Sequence, residues 1–519
     1  FDVDENKEIR KIVKYLLLRK SKVKETIVAF DHDLGGGATS YLIKKRHQLI
    51  EQGYAFYVIK YNYVQNYYQI LFQCADDKAQ FFVRNQSDIF TALEFLNVDE
   101  IWINELVTYP DLFSVLEKLE KFVREKNVKL KMLLHDYFAV CPTINLLNVD
   151  EKYCGVPDEC SQCAECFRNV HPAYEKDYGS MEIWREKWKN FLKSCSSIVV
   201  FSNDSKKILQ KVYGELPNIE VVPHQIGYMP RIQKKYKTTD SFNIGLLGVL
   251  TKHKGADIVR ELTAEIEKRG LNIRVVLIGF SSEKIESPVF FETGKYSSDS
   301  IPRLTLKHDI DMFLIPSIWP ETFSYTAEEI MKMGMPLMCF DIGAPAERIV
   351  DYEKGNIIPE ISGKAALDAV LNSGYIQKAN ELERKTDKVL FVSGEDSFAS
   401  RYRVEHLREQ LLFKGIASKR IKAAQIDKCD VSEFHSVVIY RVADDARIKR
   451  LVKRTRKQGV KVYCDIDDYI FEYDKIRHLS FLQGKDYKEF ESYSNNIKKT
   501  MELCDGYIVS TQTMLEGVR

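Results

Sequence analysis

The sequence predicts an α/β fold of several units built on parallel sheets. Three observations carry that expectation. Short apolar runs alternate with helical patterns through most of the chain, as in strand–helix–strand units. The run Thr26-Ile27-Val28-Ala29-Phe30 passes through Asp33-Leu34-Gly35-Gly36-Gly37 into a helical pattern. The alternation then restarts twice, each time after a polar, charged stretch.

The first unit opens at Thr26, with a helix around 38–52 and further strands near 54–60, 79–83, 100–104, 129–134 and 198–201. The run 219–222 closes it, ending at Pro223-His224. Residues 229–241 (MPRIQKKYKTTDS) read as a linker. The second unit opens with Phe242-Asn243-Ile244-Gly245-Leu246-Leu247-Gly248 and continues through strands near 272–279, 311–315 and 336–340. The charged stretch 376–387 reads as a helix end plus a second linker. The third unit begins at Val389-Leu390-Phe391-Val392 and runs through strands near 436–440 and 460–464 to Tyr507-Ile508-Val509-Ser510. It has the pattern of a first half without its partner. The expected domains are 1–225, 226–386 and 387–519, in keeping with 519 residues at roughly 100–200 per domain.

Composition excludes little but is consistent. Lys+Arg number 76 and Asp+Glu 75, a net charge of +1, which gives no electrostatic case for nucleic acid as the main partner. No run of 18 apolar residues is present, so no membrane-spanning helix is expected. The opening FDVDENKEIRKIVKYLLLRK lacks the apolar core and cleavage site of a signal peptide. The start without Met points to a piece of a longer protein. Of eleven cysteines, Cys74, Cys141, Cys195, Cys339, Cys429, Cys464 and Cys504 are scattered, which fits a reducing cytoplasm better than a disulfide scaffold.

The most informative string is Pro316-Ser317-Ile318-Trp319-Pro320-Glu321-Thr322-Phe323-Ser324-Tyr325-Thr326-Ala327-Glu328-Glu329. An apolar strand feeds a loop and then a helix. Backbone N–H groups of Thr322, Phe323, Ser324 and Tyr325 at the helix start suit a diphosphate. Glu321 in the loop suits sugar hydroxyls, and Glu329, two turns into the helix, suits ribose hydroxyls. As isolated residues, both glutamates read better as solvated helix-start charges; the full string is far more specific.

The whole string resembles the E-x7-E motif of the retaining family-4 glycosyltransferases, whose GT-B fold faces two Rossmann-like domains across a cleft. Other segments resemble that family in the same order. Gly248-Val249-Leu250-Thr251-Lys252-His253-Lys254-Gly255 is similar to its donor-side loop, which implies that Lys254 contacts the diphosphate. Gly343-Ala344-Pro345-Ala346-Glu347-Arg348 is similar to its small-residue loop. Gly35-Gly36-Gly37 resembles the glycine loop facing the donor phosphates, with Gly36 and Gly37 donor-binding. His135-Asp136 resembles its active-site histidine, so His135 and Glu321 are the implied catalytic residues. The resemblance covers roughly 24–375. Many members carry an Arg after the first glycine of the donor loop, where this chain has Val249; Lys252 or His253 would have to replace it.

The resemblance implies metal-independent transfer from a dTDP-, GDP- or UDP-linked sugar to a glycan acceptor. Strings such as SIWPETFSYT and HDLGGGATSY look like those of transferases building rhamnose-rich or O-antigen-like bacterial surface chains, which implies a cytoplasmic enzyme at the inner membrane face. A lipid-linked acceptor and peripheral membrane contact stay open. The alternative is a catalytically degenerate domain serving as a binding or scaffolding module. The third unit also resembles the first half of such a transferase.

Cys154-x5-Cys160-x2-Cys163-x2-Cys166 suggests a structural zinc site, against the alternatives of reduced thiols or paired disulfides. Asp465-Ile466-Asp467-Asp468 reads as a strand-end turn, and Glu105 as either an acceptor-side residue or a strand-end charge.

Overall fold

The computed structural model describes residues 10–518 apart from 13, 16–22, 171, 233, 235, 385–387, 415 and 480–486. The opening nine residues and the last three of the expected 376–387 linker therefore lie outside the described residues. The first sheet holds β1 (Thr26–His32), β2 (Ala55–Asn62), β3 (Tyr67–Gln73), β4 (Lys78–Val83), β5 (Glu100–Ile103), β6 (Lys129–Leu133), β7 (Ser197–Val200) and β8 (Ile219–Val221), in spatial order β4-β3-β2-β1-β5-β6-β7-β8. All of β1 is buried, as expected for a central parallel strand covered on both faces.

A short strand β9 (Tyr236–Lys237) precedes the second sheet. That sheet contains β10 (Phe242–Leu250), β11 (Ile273–Ser281), β12 (Phe290–Glu292), β13 (Met312–Ile315), β14 (Leu337–Phe340) and β15 (Gly355–Ile358), in order β12-β11-β10-β13-β14-β15, with every pairing parallel. β16 (Glu383–Arg384) pairs with β9. The third sheet holds β17 (Lys388–Ser393), β18 (Ala417–Lys422), β19 (Ser436–Tyr440), β20 (Lys461–Ile466) and β21 (Gly506–Val509), in order β18-β17-β19-β20-β21, again parallel.

The chain is thus α/β, with two Rossmann-like units facing each other in the GT-B manner and a third Rossmann-like unit following. The strand order reverses between β1 and β5 in the first sheet, and between β10 and β13 in the second. Crevices at such reversals, beyond the carboxyl ends of the strands, are where open α/β sheets bind ligands.

Several elements depart from expectation. β3 is not among the expected strands, yet it forms an antiparallel hairpin with β2 and β4. β12, β15 and β18 were also missed: two are short and one opens with glycine, while β18 (ASKRIK) is an edge strand whose charges hide its pattern. The supposed linker 229–241 is partly packed, since Met229 and Ile232 are buried in the second unit's core. Its buried Lys237 and half-buried Lys234 pair with Asp311 at 2.5 and 2.7 Å. No helix among the described residues is long and apolar enough to cross a membrane.

The two facing units touch through specific groups. The Glu347 carboxylate accepts from the Asn203 and Asp204 amides at 3.0 and 2.8 Å, and so caps the first-unit helix Asn203–Tyr213. Phe323 and Tyr325 of the second unit pack into an aromatic cluster with Leu42, Trp102 and Phe201 of the first.

Candidate active site

The donor-side loop is set by two glycines. Gly255 has φ +90°, and a Cβ there would fall 1.9 Å from the Pro316 carbonyl oxygen. Only glycine lets the 251–255 turn close onto the end of β13. Gly343 (φ +66°) presses on the Pro320–Glu321 backbone, where a Cβ would lie 2.6 Å from the Glu321 nitrogen. The Ala344 amide then donates to the Glu321 carbonyl at 2.8 Å. Glu321 is held from both sides.

Lys254 Nζ lies 2.7 Å from Glu321 Oε1, and the glutamate side chain is almost wholly buried. The pair lines a cavity of about 100 Å³ with Gly248, Ser317 and Thr326, at the β10/β13 reversal. Ser317 Oγ is buried there with no hydrogen-bond partner among the described residues. A buried hydroxyl left unpaired costs about 1–3 kcal/mol, so a ligand group that reached it would gain by doing so.

Beside the pair starts the helix Tyr325–Met333, capped by the Ser324 hydroxyl, which accepts from the Ala327 amide. Among the described residues, the amides of Thr322, Phe323, Ser324 and Tyr325 donate to no backbone carbonyl. Amides without a carbonyl partner at a helix start, next to a lysine, are groups able to hold an anion.

The side chains of this segment do something the sequence did not suggest. Thr322 Oγ1 donates to the His135 carbonyl at 2.6 Å. Phe323 is buried against the first unit, and the Tyr325 hydroxyl shares a 2.7 Å hydrogen bond with His224 Nδ1. Gly37 abuts the Tyr325 ring, and a Cβ at Gly37 would sit 3.4 Å from it; Gly36 precedes it at the start of the helix Gly36–Glu51. The loop therefore joins the two units while leaving its amides free.

Glu329 accepts from the Ser298 hydroxyl at 2.6 Å. Burial raises its pKa, and the Ser298 bond partly offsets that. It opens into a second cavity of about 270 Å³ between the units, with Ser40, Tyr41, Lys45, His224 and Tyr325. The two glutamates thus serve adjoining cavities on either side of Tyr325–Thr326.

His135, just past the end of β6, is stacked on Phe201 with ring centroids 4.6 Å apart and edge-on to Tyr41 at 5.1 Å. Burial holds its pKa well below the usual imidazole range, with His224 and His32 adding to the effect. His224, which sequence reasoning passed over, is depressed to about 3, first by burial and then by Lys45 and Lys44. Both rings are neutral at pH 7. Asp136 beside His135 is pushed up to about 7 by burial, and Glu105, with Asp136 and Asp31 nearby, is raised well above the carboxylate range.

Residues 229–389 match the family model Glycosyl transferases group 1. That match supports glycosyl transfer by the second unit and takes in Lys254, Glu321 and Glu329. No curated protein matches the chain. Among solved structures, the chain is similar to sucrose-phosphate synthase from Thermosynechococcus elongatus, at 12% identity and TM-score 0.44, over 69% of this chain and 92% of that one. It is similar to Anabaena HepE in complex with UDP-glucose, at 15% identity and TM-score 0.43, over 69% and 91%. It is also similar to a mutant of S. aureus TarM in complex with fondaparinux, α-GlcNAc-glycerol and UDP, at 11% identity and TM-score 0.44, over 75% and 99%.

Two expectations around the group 1 domain need correction. Lys252, one of the two residues expected to replace the missing arginine, pairs with Glu151 of the cysteine-bearing loop at 3.0 Å. His253 sits by Trp319, its pKa lowered by burial and then by Lys254, which disfavours the positive charge that role needs. Val249 itself is exposed. The expected zinc set is the second. All four of Cys154, Cys160, Cys163 and Cys166 are free thiols, and among the described residues no group of three or more His, Cys, Asp or Glu is arranged to hold a metal ion. Arg185 occupies part of the space, 3.4 Å from Cys160 Sγ and 3.7 Å from Cys163 Sγ. The loop instead braces the two units, with Tyr153 packed against both cores.

Proposed function

We propose that the chain moves a sugar from a nucleotide-sugar donor to a glycan acceptor, retaining anomeric configuration and using no catalytic metal. The observation that carries this reading is the Lys254–Glu321 pair beside four free helix-start amides at the second sheet's strand-order reversal. In the reaction the bond from the anomeric carbon to the diphosphate oxygen breaks, and the acceptor oxygen bonds to that carbon. Charge builds on the leaving diphosphate, and the acceptor proton passes to it. Lys254 and the amides of Thr322–Tyr325 stabilise that charge electrostatically. Glu321, released from Lys254 as the lysine turns to the diphosphate, holds sugar hydroxyls. Glu329 holds the ribose, exchanging the Ser298 hydroxyl for a ribose one. His135 and the Gly36–Gly37 turn close the site from the first unit.

The same reading assigns the acceptor to a growing bacterial surface polysaccharide, rhamnose-rich or similar and carried on a lipid, with the enzyme at the cytoplasmic membrane face. The donor base is one of dTDP, GDP or UDP. It treats 1–225 as the acceptor-side domain, 226–386 as the donor domain and 387–519 as a second transferase-like unit. A structural zinc forms no part of it. Val249 favours one other reading, a degenerate domain that binds without turnover. The test is transfer from a panel of nucleotide sugars by the whole chain, with the product anomer read by NMR. Turnover lost in Glu321→Ala supports the proposal; binding without turnover in the native chain selects the degenerate reading.

A further inference from the structure

At the β1/β5 reversal, a line of polar side chains runs from the interior of the first unit to His135. Asp31, wholly buried, is paired with Lys60 at 3.3 Å and accepts from the Thr39 hydroxyl at 3.3 Å. Asn104, also buried, donates from Nδ2 to Asp31 Oδ1 at 2.8 Å and to the Ala38 carbonyl at 3.3 Å. Its Oδ1 lies 2.9 Å from His135 Nε2.

These contacts fix where the histidine proton sits. A carboxylate paired with lysine and a backbone carbonyl can only accept, and both face the same corner of the Asn104 amide. That corner is the NH₂ group. The opposite corner is the carbonyl oxygen, which can only accept, so His135 must donate from Nε2. The ring is neutral, so Nδ1 carries the lone pair. Among the described residues, no group donates to Nδ1.

We propose that Asn104, oriented by Asp31, is a positioning residue that holds His135 in the Nε2–H tautomer, so that Nδ1 offers its lone pair to a hydroxyl of the bound sugar. The hydroxyl rests on the sugar-transfer reading above; the tautomer does not. The line also ties His135 to Ala38 and Thr39, at the start of the helix Gly36–Glu51. A shift of the glycine turn would therefore be felt at the imidazole.

The experiment is nitrogen NMR of the whole chain labelled in its histidine rings, with the His135 signals assigned through His135→Gln. The native protein should show an unprotonated Nδ1 and a protonated Nε2. In Asp31→Asn, residue 31 can donate as well as accept, so the Asn104 amide can turn over and His135 should become a mixture. Asn104→Leu should give the same loss of preference. A protonated Nδ1 in the native chain, or a native-like tautomer in both variants, overturns the proposal. If neither variant folds, the native tautomer alone decides it. For the sugar contact, Asp31→Asn should lower kcat by about 10-fold with the donor KM unchanged. Correct tautomers in a native chain that turns over no nucleotide sugar would overturn the hydroxyl contact and the sugar-transfer reading, leaving the positioning role standing.

Discussion

In the first unit, β1 carries Asp31 at its carboxyl end, and β5 and β6 lead into Asn104 and His135-Asp136. In the third unit, the strands in the same sheet positions, β17, β19 and β20, lead into Glu395, Arg441 and Asp467-Asp468. The first set forms a line of neutral or singly paired groups ending at a half-buried imidazole. The second closes on itself: Arg441 lies 3.1 Å from Glu395 and 2.8 Å from Asp467, and also pairs with Asp468. Behind it, Arg403 is 2.8 Å from the buried Asp465. The helices after the opening strands differ too. Tyr41 lies against His224 and Phe201, whereas Phe398 and Tyr402 are 79% and 52% exposed. The same topology thus yields two different strand ends. What distinguishes the first unit is the loop 321–329 of the group 1 domain, which packs against it through Phe323 and Tyr325.

The largest expected contrast is in turnover. Glu321→Ala should lower transfer by on the order of 100-fold or more, read as nucleotide release from the donor. Asp467→Ala should leave it unchanged; comparable losses in both variants would break the comparison. Next comes binding. Lys254→Ala should weaken a nucleoside diphosphate by about 10-fold in calorimetry, while the bare nucleoside binds as before. Equal weakening of both would put Lys254 away from the diphosphate.

A smaller effect concerns stability. Arg441→Met leaves Glu395, Asp467 and Asp468 facing one another, and should destabilise the third unit by about 1–3 kcal/mol. Hydrogen exchange resolved by segment should show faster opening in 388–518 and no change around 242–358. Uniform loosening would mean the units do not open separately.

A further contrast is a pH slope. Burial raises the folded pKa of Asp136 from 3.8 to about 7. It raises that of Asp465 only to about 6, because Arg403 pulls it back. A carboxyl with a raised folded pKa binds its proton more tightly in the native state. Its contribution to stability is full below pH 3.8 and is lost as pH rises through the folded value. Asp136→Asn should therefore flatten the fall in stability up to about pH 7, and Asp465→Asn only up to about pH 6. Identical windows would remove the distinction drawn between the two strand ends.

The strand–loop–helix layout of 312–329 was legible because its pattern is local: an apolar strand, a short polar loop and a helix follow one another without a break. The parallel strands were legible for the same reason, as unbroken apolar runs. His224 and Tyr41 were not, because their roles come from packing against Tyr325 and Phe201 across the units. Asn104 was invisible, since a lone asparagine after a strand carries no pattern. The spacing of Cys154, Cys160, Cys163 and Cys166 suggested a ligand set, but spacing does not show where the sulfurs point, nor that Arg185 from a distant helix reaches among them. β18 was hidden by its own edge-strand charges.

The most direct test of the donor site is a melting-temperature panel of UDP, GDP and dTDP on the whole chain and on Glu329→Ala. A ligand that binds only the folded state raises the melting temperature by mass action. One nucleotide should stabilise the native chain clearly and lose that effect in Glu329→Ala. No shift with any nucleotide, or a shift untouched by Glu329→Ala, would contradict a donor site at 321–329.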